Sequence, residues 1–305
     1  PKINELEEQI NNLIKKNTLL EDEASSYQSA LGAATNFQLS DNDQNHAVKL
    51  NNDIADLNDN IKNYVTNLKQ NIVVNIKEVK KLLSLYKCPV EIKDQRTSRL
   101  LIQAVLQRHV IEIIFESATQ YFQYSGRPQL EHLESQIVSK ECELSELLNY
   151  ASKYRSGNDE ITHVAPIKLR QQIYSILSNR GFEDTCRENN TAYEHPFITN
   201  CKRKLNDIMN GLRIINDRQM KSDSEKLAVT IIREVVNIFY FRLKVQEPVV
   251  QHSWFSYNAR LDKTLMDGNQ YDSDYENLYV DLCYFPLIGK DLMSENRKVY
   301  TLAKV

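Results

Sequence analysis

Ile3-Asn-Glu-Leu6-Glu-Glu-Gln-Ile10-Asn-Asn-Leu13-Ile-Lys-Lys-Asn17-Thr-Leu-Leu20 opens a run in which apolar side chains return at alternating steps of three and four residues. Ala24, Tyr27 and Leu31 extend it without a break. Ile3, Ile10, Asn17, Ala24 and Leu31 therefore share one seam position, and Leu6, Leu13, Leu20 and Tyr27 the other. A repeat averaging 3.5 residues keeps one stripe against a partner helix only when the two helices supercoil. Isoleucine at the first position with leucine at the second favours two parallel strands, and a buried asparagine fixes their register. The pattern predicts an N-terminal coiled coil joining two copies into a homodimer, with these residues as its interface. The alternative keeps the same burial inside one chain, with 3–31 folded back on 47–86 as an αα-hairpin.

Working outward, residues 36–46 are polar and turn-prone. The stripe resumes at Ala47, Leu50, Ile54, Leu57, Ile61, Tyr64 and Leu68, then shifts to Ile72, Ile76, Val79, Leu83 and Tyr86. Two successive steps of four at Leu68–Ile72–Ile76 form a stutter that unwinds a supercoil locally. The expected organisation is a coiled coil over 1–71 (helix 1–33, loop 36–46, helix 47–71), a helical body over 72–250 and a tail over 251–305. Pro89 ends the helix leaving the coil.

Within the body, 94–124 is apolar on most sides and reads as a buried helix, and 130–154 reads as amphipathic. Pro166 is expected to open a helix running to Arg180 with Gly181 as its cap, and Pro196 another to Arg218. Ser222 with Glu225 is a capping-box pattern for the next, which Pro248 closes. No strand is expected before the tail. There, β-forming residues at 278–285 and 299–303 predict a small hairpin with a long turn around 289–296. The fold class expected is mainly α: coiled coil, elongated multi-helix bundle and a small C-terminal β unit.

Composition removes several function classes. The chain has 305 residues but 7 glycines, never closer than 21 positions. Gly-rich phosphate loops and the G-x-S-x-G nucleophile turn need glycines within a few residues, so neither can be written. Five cysteines (Cys88, Cys142, Cys186, Cys201, Cys283) stand singly, as reduced intracellular thiols do. No apolar run reaches the roughly 18 residues of a membrane span, and the charged N-terminal stretch holds no signal peptide. A cytoplasmic address is expected, with the nucleus as alternative. Pro1 and the apolar closing phrase 299–305 give both ends the look of cuts in a longer protein.

Candidate chemistry is sparse. His109 with Glu112 and Glu116 lies on one helical face, where it could hold a metal or act as an acid–base pair; it reads as a solvated edge. Asp272, Asp274, Tyr275 and Glu276 resemble the opening of a calcium loop, but Asn277 and Cys283 replace the glycine and the bidentate glutamate. They read as an acidic surface loop able to dock a basic partner. Lys202, Arg203 and Lys204, with Arg213, Arg218 and Lys221 further along the same expected helix, form a basic face for nucleic acid. Asp207, Asp217 and Asp223 interrupt that face, and 38 basic against 41 acidic residues leave no basic excess. No catalytic residue, cofactor or metal centre is expected.

The tail phrases Phe255-Ser-Tyr-Asn-Ala-Arg-Leu261-Asp-Lys-Thr-Leu-Met266, 278–285 and Arg297-Lys-Val-Tyr-Thr-Leu-Ala303-Lys-Val305 follow a rhythm that resembles the β-wing of GrpE nucleotide-exchange factors. The resemblance covers the last 50 residues at most. It departs from the family at a proline, a His-Glu pair and an Arg-Pro, and it implies a co-chaperone of Hsp70 as an alternative function. The principal expectation is a non-enzymatic scaffold or adaptor. It would self-associate through its heptads and bind protein partners through body and tail, with nucleic-acid binding over 202–221 as a further alternative.

Overall fold

The steps of four and three that bring Leu50, Ile54, Leu57, Ile61 and Tyr64 onto one side wind this segment into α1 (Ala47–Val65). All five are buried, lying against α7 (Arg218–Val236) of the same chain. The computed structural model describes residues 9, 10, 13, 15, 16, 45–66, 68, 71–124, 126, 130–157, 159–186, 192–268, 278–292, 294 and 297–305.

The helix expected to continue past Val65 stops there. Thr66, Leu68 and Asn71 take positive φ values of 72°, 50° and 72°, a region that L-residues seldom occupy and that a helix cannot pass through. The chain then extends into β1 (Ile72–Val74), antiparallel to β4 (Arg213–Ile215) with Ile72 opposite Ile215. The steps of four at Ile72 and Ile76 therefore join a strand to a new helix. Asn75 caps that helix, α2 (Ile76–Leu85), by accepting from the Glu78 amide at 3.3 Å.

Helix α3 (Arg99–Phe122) meets its expectation: Ile102, Val105, Leu106, Val110, Ile111, Ile113 and Ile114 are all buried. A short 3-10 turn leads into α4 (Leu133–Tyr154), which packs antiparallel on α5 (Glu160–Arg180). Helix α5 starts before Pro166, because the Asp159 carboxylate accepts from the Thr162 amide at 2.8 Å and caps it there. Gly181 follows its end with φ −64°, and it is the next residue, Phe182, that turns left-handed, at φ 59°.

A two-stranded β2 (Thr185–Cys186) and β3 (Ala192–Tyr193) precede α6 (Pro196–Leu212). Helix α6 gives way to β4 instead of reaching Arg218. Asp217, not Ser222, caps α7, accepting from the Met220 amide at 2.9 Å. Helix α7 continues into a π-helical turn, Asn237–Arg242, and α8 (Leu243–Val245), which Pro248 follows. The π turn brings Phe239 to 5.0 Å from Phe115, stacks Tyr240 on Phe122 at 5.1 Å and buries Phe241.

In the tail, β5 (Gln251–Ser253), β7 (Leu287–Lys290) and β8 (Lys298–Thr301) form an antiparallel sheet in the order β5-β7-β8. A parallel pair, β6 (Met266–Asp267) and β9 (Ala303–Lys304), lies beside it. The expected hairpin exists, but its first strand is Leu287–Lys290. Residues 278–285 contribute single bridges at Tyr279 and Phe285 and bury Val280, Leu282 and Cys283. One core joins α1, α2, α3, α6 and α7 to Leu282, Phe285 and Ile288 of the tail. The chain is mainly α, with small strand pairs. Among the described residues, no helix is long and apolar enough to cross a membrane.

Candidate protein-binding surface

Helices α4 and α5 form a hairpin fixed to the body at one end. Glu134, buried in the first turn of α4, accepts the Tyr121 hydroxyl of α3 at 2.5 Å and the Phe182 amide at 3.0 Å. His195 brings Nε2 to 3.5 Å of the same carboxylate, and its Nδ1 accepts the Phe197 amide at 3.1 Å. Burial alone would raise the Glu134 pKa. Donation from His195, Tyr121 and the Phe182 amide overcomes it and holds the carboxyl at about 2. On α5, Gln171 donates to the Val245 carbonyl at 3.2 Å, and Arg170 pairs with Glu247. These contacts set one face of the hairpin against the body.

The other face of α4 is apolar and uncovered. Leu144, Leu147, Ala151 and Tyr154 are spaced three, four and three, and all are exposed. Leu147 keeps 63% of its surface in solvent and Tyr154 66%. Tyr150 stacks on Tyr154 with ring centres 5.9 Å apart, and Ile161 at the tip of α5 is exposed. A contiguous apolar stripe rimmed by Lys140, Glu143 and Lys153 has the composition of a protein-docking face.

The expected site residues are distributed otherwise. Residues 9, 10, 13, 15 and 16 are helical, with Ile10 55% and Leu13 61% exposed. The seam positions Ile3, Leu6, Asn17, Leu20, Ala24, Tyr27 and Leu31 lie outside the described residues, as do Asp272, Asp274, Tyr275 and Glu276. The basic triplet is largely neutralised: Lys202 pairs with Glu194 at 2.6 Å, Lys204 with Glu116 at 2.8 Å, and Arg203 donates to Asn200 at 3.2 Å. Arg213 is not on that face at all. It is buried in β4, donating to the carbonyls of Tyr64 and Val65 and to Ser224.

His109, Glu112 and Glu116 do not act together. The His109 Nδ1 shares a hydrogen bond with the Tyr86 hydroxyl at 2.8 Å, Glu112 binds Arg108, and Glu116 binds Lys204. Burial lowers the His109 pKa, partly offset by Glu116. Among the described residues, no group of three or more His, Cys, Asp or Glu could hold a metal ion.

A cleft of about 390 Å³ separates α2 and α3 from the tail. On its floor the Arg108 guanidinium lies 3.5 Å over the Trp254 ring and donates to the Cys283 carbonyl at 2.9 Å. This cation–π contact ties tail to body. Burial raises the thiol pKa of Cys88 and Cys283 and pushes that of Cys201 up to about 11, which leaves these thiols protonated and weakly nucleophilic at neutral pH. Comparison with protein-family models, curated proteins and solved structures finds no match for this chain.

Proposed function

We propose that this chain is a non-enzymatic helical scaffold. It self-associates through its N-terminal heptads into a homodimer and binds other proteins through the α4 face of its helical body. The uncovered stripe at Leu144, Leu147, Ala151 and Tyr154 carries the reading. Four exposed side chains in heptad spacing on a rigidly anchored helix are costly to leave in water, and an amphipathic helix is the shape that covers them. Ile10 and Leu13, exposed on their own helical segment, are side chains of the same kind.

Sedimentation of the whole 35.5-kDa chain tests the self-associating half. Twice that mass is expected, falling to one copy in Leu13→Asp with the helical circular dichroism unchanged. A wild-type chain that stays monomeric up to high concentration would remove it.

A further inference from the structure

The cleft between α2, α3 and the tail has the make-up of a ligand site. On its floor the Arg108 guanidinium is held between the Trp254 ring, at 3.5 Å, and the Tyr86 ring, at 5.1 Å. Glu112 and the Cys283 carbonyl each accept from it at 2.9 Å, so the floor is fixed before any ligand arrives. Phe255 and Tyr257 of the tail line one wall, and Leu85 and Lys87 at the end of α2 the other. Leu85 keeps 64% of its surface in solvent and Tyr257 41%. The volume of about 390 Å³ lies in the range of small-ligand pockets.

Charge is unevenly placed around this cleft. Residues 76–99 hold seven lysines and arginines against three acids, in a chain whose net charge is −3. Lys77, Lys81 and Leu85 follow one another at steps of four along α2, with Lys80 and Ser84 beside them and Lys87 just beyond, and all six are exposed. Residues four apart share a helical face, so a line of ammonium groups leads into the cleft at Leu85. Lys81 already reaches Glu78 at 2.8 Å. Across the cleft the tail contributes the exposed Asp281. One wall is therefore basic and the other acidic.

We infer that the cleft binds an acidic peptide segment of a partner protein, seating one aromatic side chain between Leu85 and Tyr257 and laying its carboxylates along the lysines of α2. The site uses neither the heptads nor the α4 face, so it stands whether or not the chain self-associates. The aromatic side chain gains by leaving water against Leu85, Phe255 and Tyr257. Asp281 repels a carboxylate placed on the tail wall, which sends the acidic run over α2 and fixes the orientation of the segment. Single-stranded nucleic acid suits the cleft less well. The Arg108 guanidinium already covers the Trp254 face on which a base would stack, and Glu78 and Asp281 stand in the way of a phosphate backbone.

Trp254 is the only tryptophan of the chain and lies on the cleft floor, so its fluorescence reads the site in the whole protein. The probe is a short synthetic peptide with a run of glutamates beside one phenylalanine, made in both chain directions. A saturable shift of Trp254 emission is expected, weakening as salt rises. Alanine in place of the phenylalanine, or lysines in place of the glutamates, should weaken binding about tenfold or more. Lys80→Glu combined with Lys87→Glu, both at exposed positions, should reverse the preference and favour the lysine peptide. Helical circular dichroism checks that this variant is folded, and the comparison of peptides on the wild type stands without it. No shift with either chain direction up to about 1 mM peptide would overturn the proposal. So would an equal response to the glutamate and lysine peptides, and so would a shift given by oligothymidylate but by neither peptide.

Discussion

Glu134→Gln perturbs the group that fixes the docking helix to the body. The wild-type carboxylate is 6% exposed and holds Tyr121, Phe182 and His195 around it. The gap between its ordinary value of 4.5 and about 2 in the folded chain corresponds to about 3 kcal/mol of stability at neutral pH. Because the folded pKa is depressed, that contribution is complete above the unfolded value and drains away as pH falls toward about 2. Glutamine keeps an oxygen for the Phe182 amide but loses the charge that strengthens the Tyr121 and His195 contacts. Urea unfolding followed by circular dichroism should show the variant less stable by about 3 kcal/mol at pH 7. The two curves should converge in acid. A difference that stays constant down to the acid limit, or one below about 1 kcal/mol at pH 7, would refute the argument that ionised Glu134 holds α4 in place.

Two further substitutions probe what carries the rest. Arg213→Met strips the Val65 carbonyl of its buried donor, while Ser224 still donates to the Tyr64 carbonyl at 3.1 Å; a loss of about 3 kcal/mol in urea unfolding is expected, and a neutral outcome would mean the guanidinium is dispensable. Leu57→Ala removes a fully buried side chain from α1. It should cost about 2–5 kcal/mol in one cooperative transition. An early separate transition would place α1 outside the shared core.

The reading of the sequence succeeded where one physical signal dominated. The all-round apolarity of α3 had a single interpretation, and the segment is a buried helix; the stripe of α1 was legible as helical, but it was assigned to a coiled coil whereas it is buried against α7 in the core of the body. It failed where two signals coincided. Steps of four at Leu68, Ile72 and Ile76 suit a helix, yet Ile72-Val73-Val74 is β-branched and alternates buried, exposed, buried against β4. Pro166 suggested a start that the Asp159 cap had already supplied upstream. Arg213 looked like one more member of a basic face because burial of a lone arginine leaves no trace in local spacing.

The α4 stripe was legible as amphipathic, with its spacing in plain view at Leu144, Leu147, Ala151 and Tyr154. Which apolar side chains face the body and which face water depends on where α5 packs, and that is settled by Glu134 on α4 and by the neighbouring Arg170 and Gln171 on α5, through partners far away in the chain. The polar contacts of His109 were hidden for the same reason: its partner Tyr86 lies on the segment after α2, 23 residues away.

Hydrogen exchange of the backbone as a function of protein concentration tests the central claim most directly. If the N-terminal heptads join two copies, amides around Ile10 and Leu13 should exchange more slowly as concentration rises, while those around Leu50 and Ile61 in the buried α1 stay unchanged. Exchange around Ile10 and Leu13 that is the same at every concentration would contradict the account.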